Sequence, residues 1–342
     1  MRLLTTLYVT DHRATIGVRS GTILVKSTGG AWERVPIEAL EAVVIASHAE
    51  ITSDALAICA DKGIHVTSLA RSGRVRFNTV RGARGNVLLR WRQFRAADDP
   101  VASLAIARVI VAGKLGNAER ALRRWVVDAP IGLRRSLRRL GSTVRDQAER
   151  VWSVDAEDRL RGCEGNGTRA YFEAVGLHLQ LVRPDLSFER RTRRPPRDPV
   201  NATLSYCYGL VLGDVSGALE GVGLDPQIGF LHELRPGRPA LALDLLEEFR
   251  PALADRFAIA LLARRVLGEA AFTETPGGGC YLSDVGRGHL LEAWDAYRSE
   301  EITHPLLARQ IPRSALAITQ ATLMARHLRG DLPAYPPYML PM

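Results

Sequence analysis

The sequence predicts an α+β protein in which an N-terminal β-sandwich domain is followed by a larger all-α domain. Up to about residue 85, short runs rich in Val, Ile, Leu and Thr alternate with turns that contain glycine. From residue 86 onward, apolar residues recur at helical spacing instead. The 342 residues, 46% of them apolar, are enough to bury a sizeable core. We therefore predict a β-sandwich domain over 1–85, a helical domain over 86–332 and an extended proline-rich tail over 333–342.

The N-terminal segment is expected to contain several short strands and one helix. Its strand-forming runs are separated by turns such as Ser20-Gly21 and Ser72-Gly73, and they lie at 3–10, 14–18, 22–26, 42–46 and 64–68. A helix over 54–61 is predicted between the last two, with Ser53 as its N-cap and Gly63 after its end. Strands this short and this closely spaced favour a sandwich over a doubly wound sheet.

The second segment is predicted to be helical. Its clearest signal is a series of apolar residues three or four positions apart, typical of a buried helix. The series consists of Leu204, Tyr208, Val211, Leu212, Val215, Leu219 and Val222. Weaker versions of the same pattern predict helices over 102–115, 171–182, 253–267 and 315–328.

The composition points to a polyanionic partner inside a reducing compartment. The net charge is +9, and only three of the 46 basic residues are lysine. A GC-rich coding bias accounts for the arginine excess equally well, so the excess alone assigns no function. The four cysteines are dispersed without a C-x-x-C pair, which supports neither a zinc ribbon nor a disulfide framework. No stretch approaches the length of a membrane span, so we expect a cytoplasmic protein without membrane contact.

Three acids and a histidine form a group of candidate catalytic residues. His232 ends the segment Gly229-Phe230-Leu231-His232, and Asp244, Glu247 and Glu248 follow it on one predicted helix, within one turn of each other. Carboxylates and an imidazole that converge can hold a divalent metal over a phosphodiester. A solvated helix face is the alternative for the acids, and an ordinary hydrogen bond in the core or at the surface is the alternative for the histidine.

Glu164 is a further acid of interest because glycines at positions 162, 165 and 167 surround it. Glycines permit the close approach of backbone or ligand, although they also occur where a helix begins. Their spacing does not match a dinucleotide-binding loop, and Pro236 occupies the second ligand position of a zinc-protease motif that would begin at His232. The chain has no G-x-S-x-G for a serine hydrolase. Oxygen ligands with one imidazole favour Mg²⁺ or Mn²⁺ over structural zinc.

The basic residues are clustered. Residues 71–97 contain no acid, carry Phe77, Trp91 and Phe94, and include Arg71, Arg74, Arg76, Arg81, Arg84, Arg90, Arg92 and Arg95. Such a segment at a domain junction suits a phosphate backbone, with rings for stacking, and a solvated strand-and-loop face is the alternative. A proline-containing loop carries a further cluster at Arg190, Arg191, Arg193, Arg194 and Arg197. The residues expected to contact DNA are Arg74, Arg76, Arg81, Arg84, Arg90, Arg193 and Arg194.

Taken in order along the chain, these motifs resemble the CRISPR-associated integrase family, the first protein of the CRISPR adaptation system. The resemblance covers essentially the whole length. It rests on Gly162-x-Glu164-Gly165, Pro199-Val200-Asn201, Gly229-Phe230-Leu231-His232, Asp244-Leu245-Leu246-Glu247-Glu248 and Tyr335-Pro336-Pro337. The opening and ending of the chain are similar to members from a compact class 1 subtype (I-C-like).

By this resemblance, Glu164, His232 and Glu247 would be the metal ligands, with Asp244 a nearby assisting acid. Some members carry Asp where this chain has Glu247, and the longer side chain shifts the oxygen without removing the ligand. The implied cofactor is Mg²⁺ or Mn²⁺. The implied reaction inserts spacer DNA into a CRISPR repeat array by attack of a 3′-hydroxyl on a phosphodiester, and water in its place would give nuclease activity.

The resemblance also implies partners. These are double-stranded and branched DNA, a second copy of the chain bound through the N-terminal domain, the small ferredoxin-like CRISPR adaptation protein and an iron–sulfur CRISPR nuclease. Two alternatives stay open: a metal-dependent nuclease of DNA repair that uses the same residues with water as the nucleophile, and a non-catalytic DNA-binding scaffold in which the acids have no role. A repair nuclease would not require a free 3′-hydroxyl, and a scaffold would bind DNA with strong salt dependence but without metal-dependent turnover.

Overall fold

The computed structural model describes residues 5–11, 13–28, 30–46, 48–70, 72–78 and 87–341. Within this part of the chain, a strand-rich region is followed by a helical region. The predicted α+β class and the order of its two parts are therefore confirmed. The domain boundaries at residues 85 and 332 stay predictions.

The strand-rich region consists, in its described residues, of eight strands in two four-stranded sheets. The strands are β1 (Thr5–Val9), β2 (Thr15–Arg19), β3 (Thr22–Lys26), β4 (Trp32–Pro36), β5 (Leu40–Ile45), β6 (Glu50–Ile51), β7 (His65–Leu69) and β8 (Val75–Asn78). The sheet orders are β1-β5-β7-β8 and β4-β3-β2-β6. Each predicted strand is present, although positions 3 and 4 lie outside the described residues. The sequence pattern missed β4, β6 and β8, because they are short or rich in polar residues.

The two central strands of the β1-β5-β7-β8 sheet, β5 and β7, are buried on both faces. Neighbouring residues of a strand point to opposite faces, and in β5 this places Val43 and Ile45 in one core and Val44 in another. The first core lies against the second sheet and contains Ile16, and the other core lies against the helical region. Two-sided burial explains why these strands read as continuous apolar runs.

One helix, α1 (Ser53–Lys62), connects β6 to β7. The predicted N-cap was wrong by one residue, since the hydroxyl of Thr52 rather than Ser53 accepts a hydrogen bond from the backbone N–H of Ala55. Gly63 ends the helix with a φ of 74°, which favours glycine. The connection from β5 to β7, which contains β6 and this helix, joins two strands that pair in parallel.

The described helical region contains nine helices. They are α2 (Val87–Asp98), α3 (Pro100–Asp128), α4 (Ile131–Arg150), α5 (Glu157–Val182), α6 (Pro199–Val222), α7 (Ala240–Phe249), α8 (Asp255–Ala263), α9 (Asp284–Ser299) and α10 (Leu316–Arg329). The expectation of an all-α region was wrong in one respect, because two short antiparallel hairpins interrupt it. These hairpins are β9 (Phe272–Glu274) with β10 (Cys280–Leu282), and β11 (Glu301–His304) with β12 (Arg309–Pro312).

Two of the core helices, α3 and α6, have the same type of N-cap. Asp99 and Asp198 accept hydrogen bonds from backbone N–H groups of the first turns of α3 and α6, and a proline follows each of them. Helix α7 continues into α8 through a π-helical segment over Arg250–Ala254 that contains Pro251. Proline has no N–H for the regular ladder, and π-segments often lie at functional sites.

Helix α3 is the central helix of the helical region. By length and composition it could cross a membrane, and it is the one such helix among the described residues. The expectation that no segment reaches this length was therefore wrong. More than half of its apolar stretch is buried inside the protein, as in the core helix of a soluble protein.

The last described residues, 333–341, form a segment without helix or strand that we call the C-terminal strap. The strap was predicted as an extended tail, but Tyr335, Tyr338 and Leu340 are buried in the core. The backbone N–H of Leu340 donates to the side chain of Asn117 in α3 at 2.7 Å. The strap is therefore an integral part of the helical core.

The strand-rich region meets the helical region at two glycines. A Cβ added to Gly209 of α6 would lie 1.5 Å from the carbonyl oxygen of Gly73, in the turn between β7 and β8. A Cβ added to Gly73, whose φ is +76°, would lie 2.3 Å from the Cα of Tyr206. Only glycine permits this approach of the two backbones.

We predict that Gly209→Ala destabilises the protein by at least about 2 kcal/mol, because the new methyl group must displace the backbone of the 72–73 turn. Urea unfolding measures this change. The matched control is Gly221→Ala on the same helix, where the nearest atom to the added Cβ is a methyl carbon of Ile318 at 4.0 Å. The control should leave the stability unchanged or raise it by up to about 1 kcal/mol, because alanine favours a helix more than glycine does. Equal stability of the two variants would contradict the close contact.

Candidate metal centre and arginine-lined cleft

The fully buried carboxylate of Asp244 organises the loop that carries His232. Its Oδ2 accepts from the backbone N–H groups of Phe230 at 2.6 Å and Leu231 at 3.0 Å. Its Oδ1 accepts from the backbone N–H of His232 at 2.9 Å and contacts the ring Nδ1 of the same residue at 2.7 Å. A side chain on Gly229 would clash with this carboxylate, at 2.7 Å from Oδ2. The side chain of Asp244 in α7 therefore fixes both the conformation of the loop and the orientation of the imidazole.

The contact with Asp244 determines which ring nitrogen of His232 is available to a ligand. A carboxylate oxygen accepts hydrogen bonds, so Nδ1 carries the hydrogen that points at Asp244. In the neutral form of the ring the lone pair is then on Nε2, which lies 3.8 Å from Oε1 of Glu247. A carboxylate that orients a histidine in this way is the usual partner of a metal-binding imidazole.

Glu164 of α5 and Glu247 of α7 converge on one cation, the ammonium group of Lys114. The Nζ atom lies 2.6 Å from Oε1 of Glu164 and 2.7 Å from Oε2 of Glu247. Lys114 and Glu247 are almost completely buried, whereas a quarter of the Glu164 side chain and a fifth of the His232 side chain are exposed. The cluster is therefore open to solvent on the side of Glu164 and His232.

A second cation stabilises Glu247. The guanidinium of Arg250 lies 3.3 Å from Oε1, on the opposite oxygen from Lys114. Burial by itself would raise the pKa of Glu247, but Arg250, Lys114 and His232 outweigh it and hold that pKa well below its ordinary value. Glu247 is therefore ionised in the folded protein at neutral pH.

The donor set fits a divalent metal ion. Two carboxylates that share one cation, beside an imidazole with an available ring nitrogen, supply the ligands that Mg²⁺ and Mn²⁺ take in proteins. Among the described residues, no three acid, histidine or cysteine side chains are already grouped tightly enough to hold a metal ion. The ammonium of Lys114 occupies the position between the two carboxylates.

A cleft of about 1180 Å³ lies beside this cluster and is lined from both regions of the protein. His232 and Arg250 form part of its wall. The predicted DNA-binding residues that line it are Arg74, Arg76, Arg90, Arg193 and Arg194. Arg81 and Arg84 lie outside the described residues. Of the expected arginines, Arg90 also has a structural contact, because its Nε donates to the carbonyl oxygen of Gly223.

Comparisons with known proteins show the family to which the chain belongs. The family model described as "CRISPR associated protein Cas1" matches residues 7–296. The chain is 38% identical to a CRISPR-associated endonuclease Cas1 of Moorella thermoacetica and 37% identical to one of Rhodospirillum rubrum, and in both cases the match covers 98% of each chain. The chain belongs to the Cas1 family. It is accordingly a CRISPR-associated endonuclease, and the non-catalytic scaffold alternative was wrong.

The fold of this Cas1 protein is shared with solved structures of lower sequence similarity. A Cas1 protein from Thermotoga maritima superimposes with a TM-score of 0.81 at 21% identity, over 96% of this chain and 97% of the other. The match extends over both the strand-rich and the helical region. The arrangement of sheets and helices described above is therefore the Cas1 fold.

Two buried residues, Tyr208 and Asp255, lie next to Arg250 of the centre. The hydroxyl of Tyr208 donates to the carboxylate of Asp255 at 2.6 Å, and the guanidinium of Arg250 lies over the Tyr208 ring at 4.6 Å. Burial raises the pKa of Asp255 to about 6, although Tyr208 and Arg250 act in the opposite direction. These two residues fix the position of Arg250 and hence one of the two cations on Glu247.

The third acid of α7, Glu248, lies apart from the cluster. Its carboxylate accepts from the hydroxyl of Tyr335 at 2.7 Å and from the backbone N–H of Tyr338 at 2.9 Å, both in the C-terminal strap. Burial raises the pKa of Glu248 to about 8, against the effect of these donors. All three acids of this helix are buried, so the alternative of a solvated helix face was wrong.

The sequence analysis missed Lys114, and it did not expect four of the cleft arginines to contact DNA. These four are Arg191, Arg235, Arg238 and Arg250. A signal for Lys114 was available, because it is one of three lysines in the chain and lies among apolar residues at helical spacing. A lysine on the apolar face of a helix requires a buried acid as its partner.

We predict that Asp244→Asn destabilises the protein by about 2–4 kcal/mol. All four partners of this carboxylate are hydrogen-bond donors. The substitution replaces one carboxylate oxygen by an NH₂ group, and this second donor must face a backbone N–H or the imidazole. Urea unfolding gives the loss, and Glu233→Gln in the same loop is the control. Glu233 is exposed and pairs only with exposed Arg235 in the described structure, so the control should stay within about 0.5 kcal/mol. A stable Asp244→Asn variant would contradict the positioning role.

Proposed function

We propose that Glu164, His232 and Glu247 hold a divalent metal ion, Mg²⁺ or Mn²⁺, and that the endonuclease and integrase reactions take place on DNA at this site. The observation that supports this is convergence: carboxylates from α5 and α7 contact one cation, and Nε2 of His232 lies 3.8 Å from Glu247. When bound, the metal ion would polarise the scissile phosphate and stabilise charge on the leaving oxygen. Asp244 acts as the positioning residue for His232.

The proposed reaction is a transesterification that inserts spacer DNA into a CRISPR repeat. The oxygen of a 3′-hydroxyl forms a bond to a phosphorus atom of the repeat, and the bond from that phosphorus to its own 3′ oxygen breaks. The proton of the attacking hydroxyl leaves to solvent, and the departing 3′ oxygen gains one. With water as the attacking group, the same site cleaves the strand. An assay on branched DNA with and without a free 3′-hydroxyl separates integration from repair-type cleavage.

The arginine-lined cleft is the proposed path of the DNA backbone. Guanidinium groups bind phosphate without reading base sequence, so these residues would position the strand rather than select it. The wall of the cleft includes both Arg74 and Arg76 of the strand-rich region and Arg193 and Arg194 of the helical region. A strand bound there would run past His232, which lines the same cleft.

Relatives support the proposed partners. In Rhodospirillum rubrum, a Cas4 exonuclease/Cas1 endonuclease fusion contains a match to 97% of this chain at 36% identity. A Cas6-RT-Cas1–Cas2 complex contains the same fold with a TM-score of 0.81 at 21% identity, and a casposase was solved with its integration product at a TM-score of 0.81 and 19% identity. We propose the small ferredoxin-like adaptation protein and the iron–sulfur nuclease as partners of this chain.

The remaining assignments follow the family resemblance. We propose a cytoplasmic homodimer that forms through the β-sandwich domain over 1–85, with catalysis and DNA binding in the domain over 86–332. We also propose membership of the compact class 1 subtype (I-C-like), on the opening and ending of the chain. A repeat–spacer array beside the gene, with the gene order of that subtype, would test the last assignment.

We predict that Glu164→Gln and His232→Ala each lower strand transfer and cleavage at least about 100-fold, because each removes a proposed ligand of the ion that stabilises the transition state. Gel assays with Mn²⁺ measure both reactions, and DNA affinity should stay within about twofold. Glu173→Gln is the matched control, because Glu173 lies on the same helix α5 and is exposed. Full strand transfer by both site variants would remove these residues from the catalytic role.

We predict that the double variant Arg193→Ala/Arg194→Ala weakens DNA binding and reduces its salt dependence. Each lost phosphate contact should reduce the slope of log K against log [salt] by about 0.9 for duplex DNA. Fluorescence anisotropy at several salt concentrations measures the slope. The control Arg159→Ala/Arg265→Ala removes the same charge from exposed ion pairs with Asp155 and Asp185. An equal change of slope in the control would show that net charge alone is responsible.

A further inference from the structure

Lys114 is the most deeply placed cation of the centre. It lies in the middle of α3, and its side chain is 8% exposed. The described contacts of its ammonium group are with Glu164 and Glu247, at 2.6 and 2.7 Å. These are the two carboxylates that the proposed function assigns to the metal ion. The lysine therefore contacts the proposed metal ligands themselves rather than a neighbouring group.

The C-terminal strap fixes the turn of α3 that carries Lys114. A Cβ added to Gly113 would lie 2.7 Å from the side chain of Pro337, and one added to Gly116 would lie 2.7 Å from Met339. Asn117, one turn after the lysine, donates to the carbonyl oxygens of Glu248 at 3.0 Å and Tyr338 at 2.7 Å. The backbone of α3 is thus held between the strap and α7, so the ammonium is directed at the carboxylates by packing on both sides.

The charges of this cluster are already balanced by the protein. Two carboxylates, Glu164 and Glu247, face two cations, Lys114 and Arg250. A divalent ion lies 2.0–2.6 Å from carboxylate oxygens, so it would occupy nearly the same position as the ammonium. Two positive charges cannot share that position in a poorly solvated site, because their repulsion is weakly screened. Metal binding therefore requires the ammonium of Lys114 to leave.

We propose that Lys114 is a built-in counter-cation that competes with the divalent ion for Glu164 and Glu247. It keeps the two carboxylates together in the metal-free protein and lowers the affinity of the site for metal. This inference rests on the proposed function, because it takes the metal to bind at these two carboxylates. It assigns Lys114 a positioning and regulatory role and does not require it to touch the substrate.

Calorimetric titration of Mn²⁺ into the metal-free full chain tests the competition. Lys114→Met should bind Mn²⁺ at least about tenfold more tightly than the unaltered protein, which equals about 1.4 kcal/mol. The control Lys62→Met removes the same side chain and charge from an exposed position at the end of α1, and its affinity should stay within about twofold. Lys114→Arg, which keeps the charge, should bind Mn²⁺ no more tightly than the unaltered protein.

The outcomes separate this inference from the proposed function. In the first outcome, Glu247→Gln abolishes Mn²⁺ binding, but Lys114→Met leaves the affinity equal or lowers it. This outcome would overturn the proposed competition and would leave the proposed metal ligands standing. Binding that neither Glu247→Gln nor Glu164→Gln reduces would instead overturn the proposed ligands.

A second measurement avoids the Lys114→Met variant, whose unpaired carboxylates could prevent folding. The chain has three lysines, Lys26, Lys62 and Lys114, so lysine labelled with ¹³C at Cε gives three assignable NMR signals in the unaltered protein. Addition of diamagnetic Mg²⁺ should shift the Lys114 signal alone, with the midpoint that calorimetry gives for Mg²⁺. An unchanged Lys114 signal at saturating Mg²⁺ would contradict displacement of the ammonium.

Discussion

Three carboxylates on one buried helix are the constraint on which the rest of the structure depends. A buried carboxylate is costly unless donors or cations satisfy it. Helix α7 carries three within five residues, and each of them contacts a different distant part of the chain. Asp244 holds the loop of His232, Glu247 is paired with Lys114, and Glu248 holds the C-terminal strap. The need to satisfy these groups brings the loop, α3 and the strap to one place, and the proposed centre lies at that meeting point.

The two kinds of basic side chain have different positions in this protein. Arginines line the cleft, which is the proposed path of the DNA backbone, and a planar group with several donors suits phosphate oxygens. The centre uses a lysine, whose ammonium is a compact charge on a flexible stem. Arg250 remains beside Glu247, because its guanidinium also lies over the ring of Tyr208. The centre thus combines one cation that Tyr208 holds in place with one that, in our proposal, leaves when the metal ion binds.

Much of the fold could be predicted because period-two and helical patterns are local properties. The two-sided burial of β5 and the spacing in α6 are visible in the residues themselves. Two elements were missed for different reasons. β4 is an edge strand whose charged residues hide the apolar pattern, and the C-terminal strap is buried by contacts with distant helices. The same distinction applies to the site. Family motifs selected Glu164, His232 and Glu247, but no local pattern connects Lys114 with two glutamates on other helices.

The sequence by itself determined the α+β class, the order of the two regions, the basic character of the protein and the identity of the acids and the histidine. These properties depend on composition, on short-range periodicity and on motif order. Only the tertiary structure decided that all three acids of α7 are buried, that Asp244 orients an imidazole and that Lys114 lies between Glu164 and Glu247. Burial and pairing depend on which distant segments pack together, and a linear pattern does not contain that information.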